Sequence, residues 1–269
     1  MNLKAEKFSM YRIYLLLRRD LGRQFRTLLL VVGAAAAILI TIDVLSFSIS
    51  PQQGEAGHYE GLFASILIIG GFIFSSTAFS ELNWGTSART YLLLPASPLE
   101  KTVERILLSG IGWALLSLVW FSLYSYLSVT LTELLSGRHH PLFRPMGAQV
   151  WQAFAHYLVL HSFFLFGSIF FRKNPLFKTL LSLFAVALLY VLLSFVAVRI
   201  IFAPYVSGTF AFQDWKKLGL IIENLQFRFY ERIDLLRTVR DIFYWGALAP
   251  IMWILSYLRL REVEIKDAV

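Results

Sequence analysis

Apolar runs of roughly twenty residues recur along this chain, each closed by charged residues or by helix-breaking ones. A helix of about 20 apolar residues crosses the ~30 Å hydrocarbon layer of a bilayer, so each run predicts a membrane span. The first runs from Thr27 to Phe47 and is broken by Ser50-Pro51-Gln52-Gln53-Gly54. The second covers Gly61–Ser80, and the third, Val103–Leu131, is longer than a perpendicular crossing needs, which implies tilt or protrusion. Arg138-His139-His140-Pro141 and Arg144-Pro145 mark the following loop. The fourth and fifth runs, Val150–Phe171 and Leu176–Ile201, are separated by the basic turn Arg172-Lys173-Asn174-Pro175. A sixth, Ile242–Leu258, precedes a charged tail. The short alternating segments of a transmembrane barrel are absent.

Two segments are amphipathic without being long enough or apolar enough to span. In residues 1–26, Arg12, Arg19 and Arg23 fall on one helical stripe. Phe8, Tyr11, Tyr14, Leu15, Leu21 and Phe25 occupy the opposite broad face, with Arg18 near its edge. Such a helix suits the membrane interface, rings towards the acyl chains and guanidinium groups towards lipid phosphates. A cytosolic extension packed on a partner is the alternative. Arginines follow the short apolar stretch Ile13–Leu17 and no small-residue cleavage site appears, so a leader peptide is not expected here. Between the fifth and sixth spans, Leu218, Ile222, Leu225, Phe229, Ile233 and Leu236 form one apolar stripe, while Glu223, Arg228, Glu231, Asp234 and Arg237 lie off it. That predicts an outer amphipathic or re-entrant helix, either a lid on the bundle or part of a substrate route.

The expected fold is therefore all-α: a polytopic transmembrane bundle of six spans, an N-terminal interfacial helix and an outer helix before the last span. The expected layout is an interfacial helix over 1–26, one membrane domain over 27–258 and a tail over 259–269. Composition agrees, with 57% hydrophobic residues, a mean hydropathy of +0.63 and only 16% charged residues, against about 25% in a soluble domain. The net charge of +8 would point a soluble protein towards nucleic acid. Here the basic residues flank the spans, as the positive-inside rule and anionic leaflets require, and no nucleic-acid partner is expected. With the N-terminus inside, the inner segments hold more than half of the 25 Lys and Arg, and an even number of spans puts both termini in the cytoplasm. Cysteine is absent, excluding disulfides, thiol nucleophiles and thiolate metal sites.

Candidate chemistry is sparse. No phosphate-binding Gly-x-x-x-x-Gly-Lys-Ser/Thr loop, His-Glu-x-x-His motif or Gly-x-Ser-x-Gly elbow occurs, so neither catalysis nor a bound cofactor or metal is expected. His156 and His161 lie five residues apart, on different faces of one helix. Asp43 and Arg199 are the conspicuous charges inside apolar runs; they either snorkel to the outer surface or pair with each other. Gly33, Ala37, Gly70, Gly71, Gly110 and Gly112 permit close helix packing.

The most informative stretch is the loop after the second span, from Glu81 through Gly85, Thr86, Tyr91, Leu92, Leu93, Leu94 and Pro95 to Glu100. It predicts a short helix over 86–94 ending before Pro95. A capping box of Ser97 and Glu100 around Pro98 then restarts the chain as the third span. A short helix held between two firmly started spans is built to transmit force, and Tyr91 with its three following leucines is more apolar than a connector in water requires.

With Glu81, Gly85, Thr86, Leu93, Leu94 and Pro95 as its motif, and with this layout of interfacial helix, six spans and outer element, the chain resembles the ABC-2-type exporter permeases. Leu82, Asn83 and Trp84 stand where that family often has Glu-Arg-Glu before Gly-Thr. The resemblance implies that the loop is a coupling helix docking on a separate cytoplasmic ATP-binding subunit. It also implies that ATP and Mg bind that partner, and that a second permease copy or homologue completes the exporter in the bacterial cytoplasmic (inner) membrane. Aromatic, charge-poor spans suit an amphiphilic or lipid-like cargo. The rival reading is a non-transporting scaffold or assembly subunit of an envelope complex. An intramembrane enzyme is disfavoured, because no nucleophile–base pair or ligand trio stands out.

Overall fold

The computed structural model describes residues 8–49, 58–83, 85–136, 141–171, 173–202 and 237–267. Every regular element among them is helical. In chain order these are α1 (Met10–Ile49), α2 (His58–Ser76), a 3₁₀ turn (Ser80–Asn83), α3 (Gly85–Leu92), α4 (Pro98–Ile106), a π-helical turn (Leu107–Gly112), α5 (Trp113–Ser136), α6 (Ala148–Phe170), α7 (Pro175–Phe202) and α8 (Leu248–Asp267). Five helical segments are long and apolar enough to cross a membrane: Tyr59–Leu82, Pro98–Leu135, Ala148–Phe170, Pro175–Ala197 and Arg237–Ile265. A shorter apolar stretch, Leu29–Leu45, lies within α1. This is the pattern of a multi-pass membrane protein.

The boundary expected near residue 26 is not a break. α1 is one helix of 40 residues, about 60 Å long at 1.5 Å per residue, so its apolar part continues directly from the basic segment. No proline interrupts 10–49, and the run Ala34–Ala37 favours the helix strongly. The side chains Tyr11, Tyr14, Leu15, Leu21 and Phe25 are exposed, whereas Ile13, Leu16 and Asp20 turn inward.

The predicted helix start at Ser97 is present in full. Ser97 Oγ accepts from Glu100 N at 3.3 Å, and Glu100 Oε2 accepts from Ser97 N at 2.8 Å, a reciprocal capping box with Pro98 in the first turn. The helix restarts at Pro98 as expected, ahead of the apolar run from Val103, and Pro98–Leu135 runs on as a span interrupted only by the π-helical turn. That turn has local causes. Ser109 Oγ donates to Arg105 O at 2.6 Å, and Gly110 and Gly112 are weak helix formers. The His161 imidazole also approaches Gly110 so closely that a Cβ there would lie 3.2 Å from its Cε1. A second π-helical turn, Phe243–Ala247, stands just ahead of Pro250, whose ring removes one helical donor and crowds the preceding turn.

Contacts divide the chain into two compact units, 1–176 with 249–269, and 177–248. In the first, α2 packs most extensively on α6. An aromatic core of Tyr59, Phe63, Phe121, Tyr124, Phe143 and Phe154 joins α2, α5 and α6, with Phe63 edge-on to Phe121 at 5.5 Å and to Phe154 at 5.6 Å. Indole donors tie the spans together: Trp113 Nε1 to Leu67 O at 3.0 Å and Trp120 Nε1 to Val32 O at 3.1 Å. After α6, Asn174 has a φ of 52°, a left-handed conformation that asparagine tolerates better than most residues. In the second unit the described part of α7 carries exposed Phe184, Leu188, Leu192 and Val196. The outer amphipathic helix expected over 218–236, and the His139-His140 pair, fall outside the described residues.

Candidate functional site

The polar restart of α4 is packed inside out. Glu100, Lys101, Thr102, Glu104 and Arg105 are all buried, while Leu99 is exposed. Because Lys101, Glu104 and Arg105 recur at three- and four-residue steps, they share one face. That face looks towards α1, the 3₁₀ turn, α3 and α8. Charges buried to this degree must be paired, and they are.

Arg105 is the hub. Its guanidinium lies 2.8 Å from Asp20 of α1, 3.3 Å from Glu81 of the 3₁₀ turn and 3.2 Å from its neighbour Glu104. Asp20 is wholly buried and also bonds Arg19 at 2.6 Å. Glu81 is approached by Arg19 at 3.7 Å and paired with Arg23. Burial works against the charge on Arg19, but its bond to Asp20 and the field of Asp20 and Glu81 outweigh that and raise its pKa above the ordinary value. Asp20, Glu81 and Glu104 thus lie among Arg105, Arg19 and Arg23, three carboxyl groups with three guanidinium groups.

A second knot flanks the first. Glu100 accepts from Ser9 N at 2.6 Å and from Arg12 at 2.9 Å while serving the capping box. Lys101 reaches Glu264 of α8 at 2.9 Å and the carbonyl of Leu92, the last residue of α3, at 3.4 Å. Above both knots lies Tyr91. It is buried, its ring 5.3 Å from Lys101 Nζ and 5.5 Å from the Arg105 guanidinium, edge-on to Phe79 at 6.5 Å. Burial pushes its phenol above the ordinary range. Phe79, Tyr91, Leu165, Ile169 and Leu260 form one apolar cluster beside these charges. The short helix α3 is therefore fastened to α4 and α8 by its inner side.

The residues singled out in the sequence fall differently around this site. Glu81 is a member of the charge cluster. Tyr91 points into the chain's own core, whereas Leu93 is 83% exposed, with Leu92 and Leu94 half-buried and Pro95 exposed. Gly85 and Thr86 open α3, one residue earlier than expected, and the helix stops at Leu92. Arg12 and Arg23, expected at lipid headgroups, have carboxylate partners within the chain, as Arg19 does. Asp43 is buried within the first unit, accepting from Ser128 Oγ at 2.7 Å and from the Tyr124 hydroxyl. Arg199 lies in α7 and its side chain is outside the described residues. His161 Nε2 sits 2.8 Å from Ser109 Oγ, deep between α6 and the π-helical turn.

Sequence reasoning missed Asp20, Lys101, Glu104, Arg105 and Glu264. A signal existed for three of them, since the spacing of Lys101, Glu104 and Arg105 puts a charged stripe at the head of an apolar span. Asp20 and Glu264 carried none, because Asp20 is one carboxylate among flanking arginines and Glu264 is one of several charges in a mixed acidic and basic tail. The cluster is a set of ion pairs joining α4 to α1, to α8 and to the 3₁₀ turn. Comparison with protein-family models, curated proteins and solved structures gave no match to this chain.

Proposed function

We propose that this chain is the transmembrane permease subunit of an ATP-driven exporter of the ABC-2 type. It would lie in the bacterial inner membrane as a six-span protein, Leu29–Leu45 of α1 serving as the first span and both termini facing the cytoplasm. The observation that supports this reading is the mounting of α3. Its outer side offers Arg89 and Leu93 to a partner, and its inner side is pinned through Tyr91, Lys101 and Arg105 to the helices that follow. A push on the exposed side is passed to α4 and α8 rather than absorbed by a loose connector. Tyr91 holds the coupling helix to the spans, and Leu93 is the anchor that meets the ATPase.

In this mechanism ATP and Mg are bound by the separate ATPase. The permease contributes binding and gating for an amphiphilic or lipid-like cargo, in company with a second copy or a homologue. Changing Leu93 to Asp tests the assignment. An exposed position tolerates the change without loss of fold, while an apolar anchor in an interface loses about 3 kcal/mol, more than a hundredfold in Kd. Copurification from the native membrane in mild detergent, followed by nucleotide hydrolysis measurements, reads the result. A Leu93→Asp protein that retains an ATPase subunit at wild-type levels refutes the anchor. A wild-type protein with no ATPase partner favours the scaffold reading instead.

A further inference from the structure

The first four turns of α1 show an asymmetry among their arginines. Arg12, Arg19 and Arg23 each hold a carboxylate. Arg18 is exposed and has no ion pair among the described residues. It lies three, seven and eleven residues before Leu21, Phe25 and Leu29, hence on the same face of the helix. Gly22, one turn further along, has nothing within 4 Å of where a Cβ would be, leaving room beside the guanidinium.

That face forms one wall of an apolar groove of about 210 Å³. Phe25 and Leu29 of α1 stand across from Phe74 of α2 and from Leu108, Trp113 and Leu116 of the π-helical turn and α5. The groove exists because its far wall is set back. Trp113 lies so close to Gly70 that a Cβ there would be 2.4 Å from its ring, and its indole is fixed by the bond to Leu67 O. The π-helical turn widens the helix at the same level, a distortion common where helices bind ligands. The rim residues Leu21, Phe25 and Leu29 remain exposed, so the groove opens sideways to the surroundings of the spans.

We propose that this groove binds an anionic phospholipid, one acyl chain lying against Trp113 and the phosphate on Arg18. An apolar slot beside a span takes hydrocarbon, and a guanidinium at its polar end forms paired, charge-assisted bonds with a phosphate. From Arg18 to Leu29 the helix rises about 16 Å, enough for a headgroup at one end and much of a chain along the other. The site does not depend on the exporter reading, since it requires only that the chain spans a membrane.

The full-length protein, purified in mild detergent, is mixed with phosphatidylglycerol or phosphatidylcholine of identical chains, and retained lipid is counted by native mass spectrometry. Phosphatidylglycerol is expected to be retained in preference, and Arg18→Gln to lower that preference about fivefold, the contribution of one basic residue at an anionic surface. Leu116→Trp, which fills the groove, is expected to remove retention of both lipids. A phosphatidylglycerol carrying a photoreactive group in its acyl chain should crosslink to peptides of α1 and α5. Equal retention of the two lipids by the wild type, unchanged preference in Arg18→Gln, or crosslinks confined to other helices would overturn the site. Displacement by soluble glycerol phosphate alone would also overturn it, because the chain would then contribute nothing. Arg18 is exposed, so its variant folds even if Leu116→Trp does not.

Discussion

Replacing Arg105 with glutamine removes the cation that Asp20, Glu81 and Glu104 all share. At 2.8 Å from Asp20 the gross attraction is about 6 kcal/mol at an effective dielectric near 20. Much of that only offsets the cost of taking both groups out of water, so the pair as a whole adds little against an apolar replacement. Breaking one side is another matter. Asp20 is wholly buried and Arg105 is 3% exposed, so loss of the guanidinium leaves buried carboxyl groups with only Arg19 and Arg23 near. The expected cost is about 3–5 kcal/mol. Equilibrium unfolding of the purified protein in mixed micelles, titrated with sodium dodecyl sulfate, measures it. The double variant Asp20→Asn with Arg105→Gln should recover a large part, because each single change strands the other's charge, giving a coupling energy of about 2 kcal/mol or more. Arg240→Gln, whose pairing with Asp241 is open to solvent, serves as the contrast and should leave the transition where it was. A single-variant cost below about 1 kcal/mol, or a double variant equal to the sum of the singles, would mean that water screens this cluster and that it does not fasten the loop.

Substitutions at three further positions probe the packing of the spans. Gly71→Ala would place a methyl 2.1 Å from Cε2 of Tyr157, a fully buried ring whose hydroxyl is held by Ser109 O. It should cost about 1–3 kcal/mol in the same unfolding assay, while Gly33→Ala, with nothing within 4 Å, should be neutral or gain up to about 1 kcal/mol from helix propensity. Asp43→Leu strips the Tyr124 and Ser128 hydroxyls of their acceptor and should cost about 1–3 kcal/mol. Asp43→Asn keeps a carbonyl there and should cost less; an equal loss for both would show that the charge itself matters more than these bonds.

Much of the helical layout was legible in the residues because its causes are local. The length and apolarity of the runs predict elements that could cross a bilayer, since backbone groups in hydrocarbon must be satisfied within their own segment. Ser97, Pro98 and Glu100 specify a helix start by hydrogen bonds that span three residues, and the structure has that start at the expected place. Gly85 and the break before Pro95 likewise bracket α3 to within a residue or two. The fusion of the basic segment with the first apolar run in α1 was less legible, because amphipathic periodicity locates faces and says little about where a helix ends.

What only tertiary structure decided is which side of each element faces what. Arg12, Arg19 and Arg23 form the same stripe whether they face lipid phosphates or carboxylates. Their partners Asp20, Glu81 and Glu100 were fixed by the packing of α1 against α4 and the 3₁₀ turn, which left Arg18 with no ion pair among the described residues. Tyr91 and Leu93 are two residues apart and equally apolar in a sequence, yet one is buried and the other exposed, because α3 lies against a surface supplied by α4, α6 and α8. Hydrophobicity in a membrane chain does not separate core from periphery, since lipid and interior are both apolar. Polar groups do separate them, as each must find a partner, and the partner of Arg105 lies 85 residues away in Asp20.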